Sequence, residues 1–299
     1  MAYFGLNKTA YIQLHVSVFL WGFTAILGKL ITLSSIELVW WRMLFAFLSL
    51  LFLSRARVGL RGMSMKEVIK IGLNGGLLAL HWVAFYAAIK MANPTIALVG
   101  LSTTSFFTAI FEPLLSRKKI IWPDVLIGFV AIPGMILIYK NVDLQMVTGL
   151  WVGIFAAIVL AIFSIISKRQ IEKSNALGMS FVQLSGGWLF ISLALFFVPS
   201  LSFELSLPVG RNLWLLLIMA IFCTTIPFIL SLKALRKLSA FTSNLTLNLE
   251  PVYGIFMAWL FLNDAKELST GFVMGVLIVL VSVLSYPLLY PVTHKEVER

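Results

Sequence analysis

Glu250 stands in residues 240–262, an apolar stretch long enough to cross a bilayer, and it directly precedes Pro251. A carboxylate at that depth costs several kcal/mol unless it is paired or hydrated, so it marks a functional position by default. Pro251 brings no amide N–H and frees the carbonyl of Leu247, four residues back. Ser243, Thr246, Glu250 and Tyr253 recur at helical spacing and share one face, with Asn244 and Asn248 forming a stripe beside it. A polar, proline-interrupted face suits a water-filled cavity that takes up a polar solute or a proton. The bland alternative is interhelical hydrogen bonding between small polar side chains.

Residues 94–115 repeat the pattern with Ser102, Thr103, Thr104 and Ser105. Ser105, Thr108 and Glu112 fall on one face, and Glu112 is placed to pair with nearby Arg117. In residues 68–89, Asn74, His81 and Phe85 lie along a face, with Gly75-Gly76 permitting close packing. His81 is either a satisfied structural group or a proton switch, since imidazole titrates near neutral pH. The rings of Trp21, Trp41, Trp82 and Tyr86 can stack on a planar solute or anchor the membrane interface. Thr24, three residues after Trp21, joins the candidate binding set. Arg42 has three readings: snorkelling outward, binding a substrate carboxylate, or pairing with Glu37. Five residues is a poor helical spacing for a pair, so snorkelling is the leading expectation.

The elements that carry these residues follow from composition. Of 299 residues, 60% are hydrophobic and 12% charged, with a mean hydropathy of +1.00. A soluble domain carries about 25% charged residues, so the unit of counting is the transmembrane span of about 20 apolar residues. Ten runs qualify: 11–31, 36–53, 68–89, 94–115, 121–139, 147–167, 177–198, 213–232, 240–262 and 269–289. None shows the alternation of a barrel strand. The first run lacks a cleavage site and reads as a span, not a removable leader. The net charge of +11 is not a nucleic-acid signature, because the cations cluster between spans. Arg55, Arg57, Arg61, Lys66 and Lys70 lie around runs two and three. Arg117, Lys118 and Lys119 follow run four, Lys168, Arg169 and Lys173 follow run six, and Lys233, Arg236 and Lys237 follow run eight. Lys295 and Arg299 close the tail. The alternate loops hold only scattered cations such as Lys90, Lys140, Arg211 and Lys266. Every second loop is basic, as the positive-inside rule requires of ten spans with both termini in the cytoplasm.

A weak self-similarity recurs at an offset of about 146 residues, setting Lys90 on Arg236 and Ser105 on Pro251. It divides the chain into five-span halves, 1–140 and 141–299. An odd number of spans per half inverts the second half in the membrane, a plan common among secondary transporters. Trp21-Gly22-Phe23, the basic-ended third run before an Ala-rich fourth, Leu249-Glu250-Pro251-Val252-Tyr253 and Leu262-Asn263-Asp264 resemble the drug/metabolite transporter superfamily, in particular its ten-helix EamA-type exporters. Ser105 and Arg117-Lys118 depart from that pattern, where a proline and an acid are common. The resemblance implies export of small metabolites such as amino acids across the inner membrane by alternating access. Its implied partners are a small-molecule substrate and membrane lipids, with no cofactor; a proton or solute gradient is the expected energy source, with Glu250 and His81 as candidate proton carriers.

The chain contains no phosphate-binding loop, Gly-x-Ser-x-Gly or His-Glu-x-x-His. Its single cysteine, Cys223, and three histidines make neither a disulfide nor a zinc set, and an intramembrane enzyme is disfavoured. A lipid flippase or channel-like facilitator is the rival reading. The expectation is therefore an all-α membrane protein of ten transmembrane helices in two inverted five-helix repeats.

Overall fold

Backbone amides facing lipid must be satisfied within their own segment, and helices achieve this. The computed structural model describes residues 2–52, 60, 62–117, 119–138, 146–201, 206–250 and 252–254, with eight further positions between 270 and 281. Its helices are α1 (Ala2–Leu30), α2 (Ser35–Phe52), α3 (Met65–Met91), α4 (Pro94–Leu101), α5 (Thr104–Ser116), α6 (Trp122–Ile138), α7 (Val147–Ile171), α8 (Ala176–Phe197), α9 (Gly210–Ala220), α10 (Ile226–Leu235) and α11 (Ala240–Leu247). One turn of π-helix, Ile221–Thr225, joins α9 to α10. Among the described residues there is no strand, and seven segments are long and apolar enough to cross a membrane. The protein is an all-α membrane protein. Of the tenth expected span only those eight positions are described, each helical. Pro251, Leu262-Asn263-Asp264, Arg55, Arg57, Arg61, Lys118, Lys140, Lys266, Lys295 and Arg299 lie outside the described residues.

Local chemistry sets the helix starts. Ser64 and Glu67 form a reciprocal capping box at α3, which satisfies two amides left over in the first turn. Asn93, Asn175 and Ser239 cap α4, α8 and α11 with their side-chain oxygens. The outer surface is apolar, with Phe196 78% and Trp214 67% exposed. Such a surface belongs in lipid, not water. Trp122, Trp151 and Trp214 are exposed near the starts of α6, α7 and α9, where indoles anchor the interface. Trp21 and Trp82 lie inside the bundle.

Two spans expected to be continuous are broken, and at matching places. The fourth stops at Leu101 and resumes at Thr104; the ninth stops at Leu247 and resumes at Glu250. Caps (Asn93, Ser239), last residues (Leu101, Leu247) and restarts (Thr104, Glu250) are each separated by 146 positions. In the fourth span the hydroxyls of Ser102, Thr103 and Thr104 donate to carbonyls three residues back at 2.6–2.7 Å. Such local bonds compete with the helical ladder. In the ninth, Asn248 and Leu249 amides donate to the carbonyls three residues back, at 3.1 and 3.0 Å. The break is thus a property of both repeats.

Helix α3 runs through the middle, packed on α7 and α8, while α1 packs on α10 and α4 on α7. The closest crossing joins α3 to α8 at Gly75, where a Cβ would collide with the backbone carbonyl of Gln183. Backbone cannot yield as a side-chain tip can, so Gly75→Ala is expected to cost at least about 1–3 kcal/mol. The melting midpoint of the detergent-purified protein should fall by several degrees; an unchanged midpoint would contradict this crossing.

Candidate functional site

A cavity lies among α1, α2, α3, α7, α10 and the ninth span, with about 90 Å³ of space for water centres. One water needs roughly 10–15 Å³ on that measure, so the cavity admits several waters or a small solute. Of the candidates named from sequence, Trp21, Thr24, His81, Trp82, Asn244 and Glu250 line it. Phe85, Phe163 and Phe228 complete its aromatic wall. The lining on α10 (Phe228, Ser231, Leu232, Leu235) runs toward the basic end of that helix, at Lys233 and Arg236.

Arg42 also lines the cavity and is only 2% exposed. The expected snorkelling is overturned. The guanidinium turns inward because neutral partners replace its water. Nε donates to Thr224 Oγ1 at 2.7 Å, Nη1 to Tyr86 Oη at 2.7 Å and Nη2 to the Cys223 carbonyl at 3.2 Å. The guanidinium carbon stands 3.9 Å over the Trp82 ring, a cation–π contact strengthened by desolvation. Of the five N–H donors of a guanidinium, two remain uncommitted among the described residues.

Glu250 faces the same space, 6% exposed, at the restart of the ninth span. Thr24 Oγ1 donates to its Oε1 at a long 3.4 Å. Among the described residues no ion pair joins Glu250 to Arg42. His81 Nδ1 lies 2.9 Å from the Ala156 carbonyl. A carbonyl only accepts, so Nδ1 carries the proton and Nε2 is the free ring nitrogen.

The other candidates occupy different positions. Tyr86 is fully buried behind Arg42, its hydroxyl donating toward Met219 Sδ at 3.6 Å. Thr104 Oγ1 donates to Leu101 O at 2.6 Å. Ser105 Oγ accepts from Asn248 Nδ2 at 3.2 Å, tying the fourth span to the ninth. Asn244 extends that seam, donating to Thr108 Oγ1 at 2.8 Å and accepting from Ser164 Oγ at 3.1 Å. Tyr253 meets Phe19 edge to face at 5.6 Å. Glu112 accepts the Phe241 amide at 3.0 Å, serving the first turn of α11. Phe163, Phe228, Ser164 and Ser231 are among the lining residues that sequence reasoning did not single out, and for Arg42 it put snorkelling ahead of substrate binding. The signal for Arg42 was its depth within run two without a suitably spaced acid.

A helical membrane bundle with a broken helix in each half, around a cavity lined by one buried arginine and one buried glutamate, has the architecture of a membrane transporter. The EamA-like transporter family matches the chain twice, over residues 8–140 and 147–286. The chain belongs to the EamA-like transporter family. A protein of Clostridium kluyveri described as an uncharacterized transporter is 23% identical over 216 residues. That match takes in 67% of this chain and 65% of the relative, so the chain spans just under two thirds of its length. A solved crystal structure, titled only as that of a protein, matches with a TM-score of 0.75 at 15% identity, over 95% of this chain and 98% of its own. At that identity the likeness is one of fold alone.

Asn244→Leu keeps the branched shape of the side chain at a somewhat larger volume, strands Ser164 Oγ and removes the donor to Thr108 Oγ1. A loss of about 1–3 kcal/mol is expected, read as a lower melting midpoint in detergent. A midpoint equal to wild type would mean the seam contributes nothing.

Proposed function

We propose that the protein is a secondary transporter that exports small metabolites of the amino-acid type by alternating access around this cavity. One observation carries the reading. A guanidinium from the first half and a carboxylate from the second line the same small cavity and are not spent on each other. A zwitterion presents the complementary pair: its carboxylate accepts from the free N–H bonds of Arg42, and its ammonium donates to Glu250. Charge-assisted bonds of this kind are about twice as strong as neutral ones. Trp21, Trp82, Phe85, Phe163 and Phe228 then meet the apolar remainder of the solute.

The two-repeat plan supports alternating access, since pseudo-equivalent halves can rock about a site between them. Protons are the proposed coupling ions. Glu250 accepts a proton once the ammonium has left and releases it when the next solute arrives. The basic loops support a cytoplasmic location for the loop after span two and for every second loop onward, in the inner membrane.

Transport of radiolabelled amino acids into inside-out vesicles tests this. Arg42→Gln and Glu250→Gln should each reduce initial rates by about tenfold or more, the worth of one charge-assisted hydrogen bond. An imposed proton gradient should drive the wild type. Rates insensitive to both substitutions would remove the charges from the binding site, and indifference to the gradient would remove the coupling. Transport of a labelled lipid in place of soluble solutes would establish the flippase reading instead.

A further inference from the structure

The three partners of Arg42 are arranged by an irregularity in the eighth span. Pro227 has no amide N–H, so a regular helix there would leave the Cys223 carbonyl, four residues back, without its donor. Arg42 Nη2 donates to that oxygen at 3.2 Å. The π turn that precedes Pro227 is held by Thr224 and Thr225, whose hydroxyls donate to Met219 O and Ala220 O, five residues back, at 2.8 and 2.9 Å. The same two threonines reach across to α2. Thr224 Oγ1 takes the Arg42 Nε–H, while Thr225 Oγ1 lies 2.8 Å from Ser49 Oγ. The first half is thereby sewn to the second along one face of α2.

This seam stands at one end of the cavity. From Thr224 the lining on α10 runs only toward the basic end of that helix. In the other direction lie fully buried Tyr86 and Met219. Tyr86 is seated on Gly28, where any Cβ would strike its ring.

We propose that Arg42 is a latch that seals the cavity on the side away from the basic loops, with Thr224 and Pro227 as the positioning residues that hold it shut. This rests on the reading of the chain as a carrier, and not on the identity of its solute. Rocking of the halves slides α2 past the π turn, and the Arg42 bonds to Thr224 and Cys223, with the Thr225–Ser49 contact beside them, are among those that break. Thr224→Val removes a hydroxyl without changing the shape. Pro227→Ala restores an amide that competes with Arg42 for the Cys223 carbonyl. Both variants loosen the latch.

The sequence holds one cysteine, Cys223, 2% exposed and placed at the latch itself. Its alkylation by a membrane-impermeant maleimide therefore reports opening without any engineered label. The reagent is applied separately to right-side-out and inside-out vesicles carrying the full-length protein. Wild type and Thr224→Ser should react slowly from the face remote from the basic loops. Thr224→Val and Pro227→Ala should react about tenfold faster from that face, the worth of one lost hydrogen bond to a charged group. Melting midpoints confirm that each variant is folded, and Tyr86→Phe serves as the alternative if Thr224→Val is not. Acceleration confined to the remote face supports the latch. Wild-type rates in all folded variants, or equal acceleration from both faces, overturn it. Because no solute is present, a failure here is separate from any failure to find a zwitterionic substrate.

Discussion

A guanidinium buried at membrane depth is the constraint around which the rest of the molecule is arranged. The desolvation of Arg42 must be answered by hydrogen bonds and by a ring face. The chain supplies a tyrosine, a threonine, a carbonyl and an indole, all neutral. The compensating carboxylate is present but kept apart, on the other half of the molecule. A buried ion pair would satisfy both groups and leave nothing for a solute. Separating them across a cavity gives the site its polarity.

The backbone irregularities serve the same end. The eighth span carries a π turn and a proline beside Arg42, and the fourth and ninth spans break at positions 146 residues apart. Irregular backbone at membrane depth is tolerated where it is buried in protein or lines a cavity. Here the ninth-span break places Glu250 at a helix restart facing that cavity. Its counterpart Thr104 bonds back to Leu101 instead, so the two repeats share a backbone plan and differ in chemistry. Tight crossings such as Gly75 on Gln183 hold the halves close enough for the cavity to stay small.

Much of this was legible in the sequence. Hydropathy and loop charge give the spans, because lipid leaves a helix little choice. The 146-residue offset, faint as residue identity, is sharp as geometry, since caps and breaks are set by single hydroxyls and amides. Glu250, His81, Trp82 and Asn244 were found because an isolated polar or aromatic group in an apolar run has few places to go. Arg42 was misread for a physical reason. Its long stem reaches either lipid headgroups or a cavity, and periodicity gives depth but not direction. Nor do Ser102 to Thr104 announce a helix break, because hydroxyls in a span commonly bond back to carbonyls without breaking it.

The central claim is that Arg42 and Glu250 receive opposite ends of one small solute. The most direct measurement is thermal stabilisation of the purified protein by a matched trio: an amino acid, its carboxamide and its deaminated acid. A ligand that binds only the folded state raises the midpoint by mass action. The account predicts that the zwitterion stabilises the wild type well above the other two, and that Arg42→Gln and Glu250→Gln each abolish its advantage. Equal stabilisation by all three, or an advantage that survives both substitutions, would contradict it.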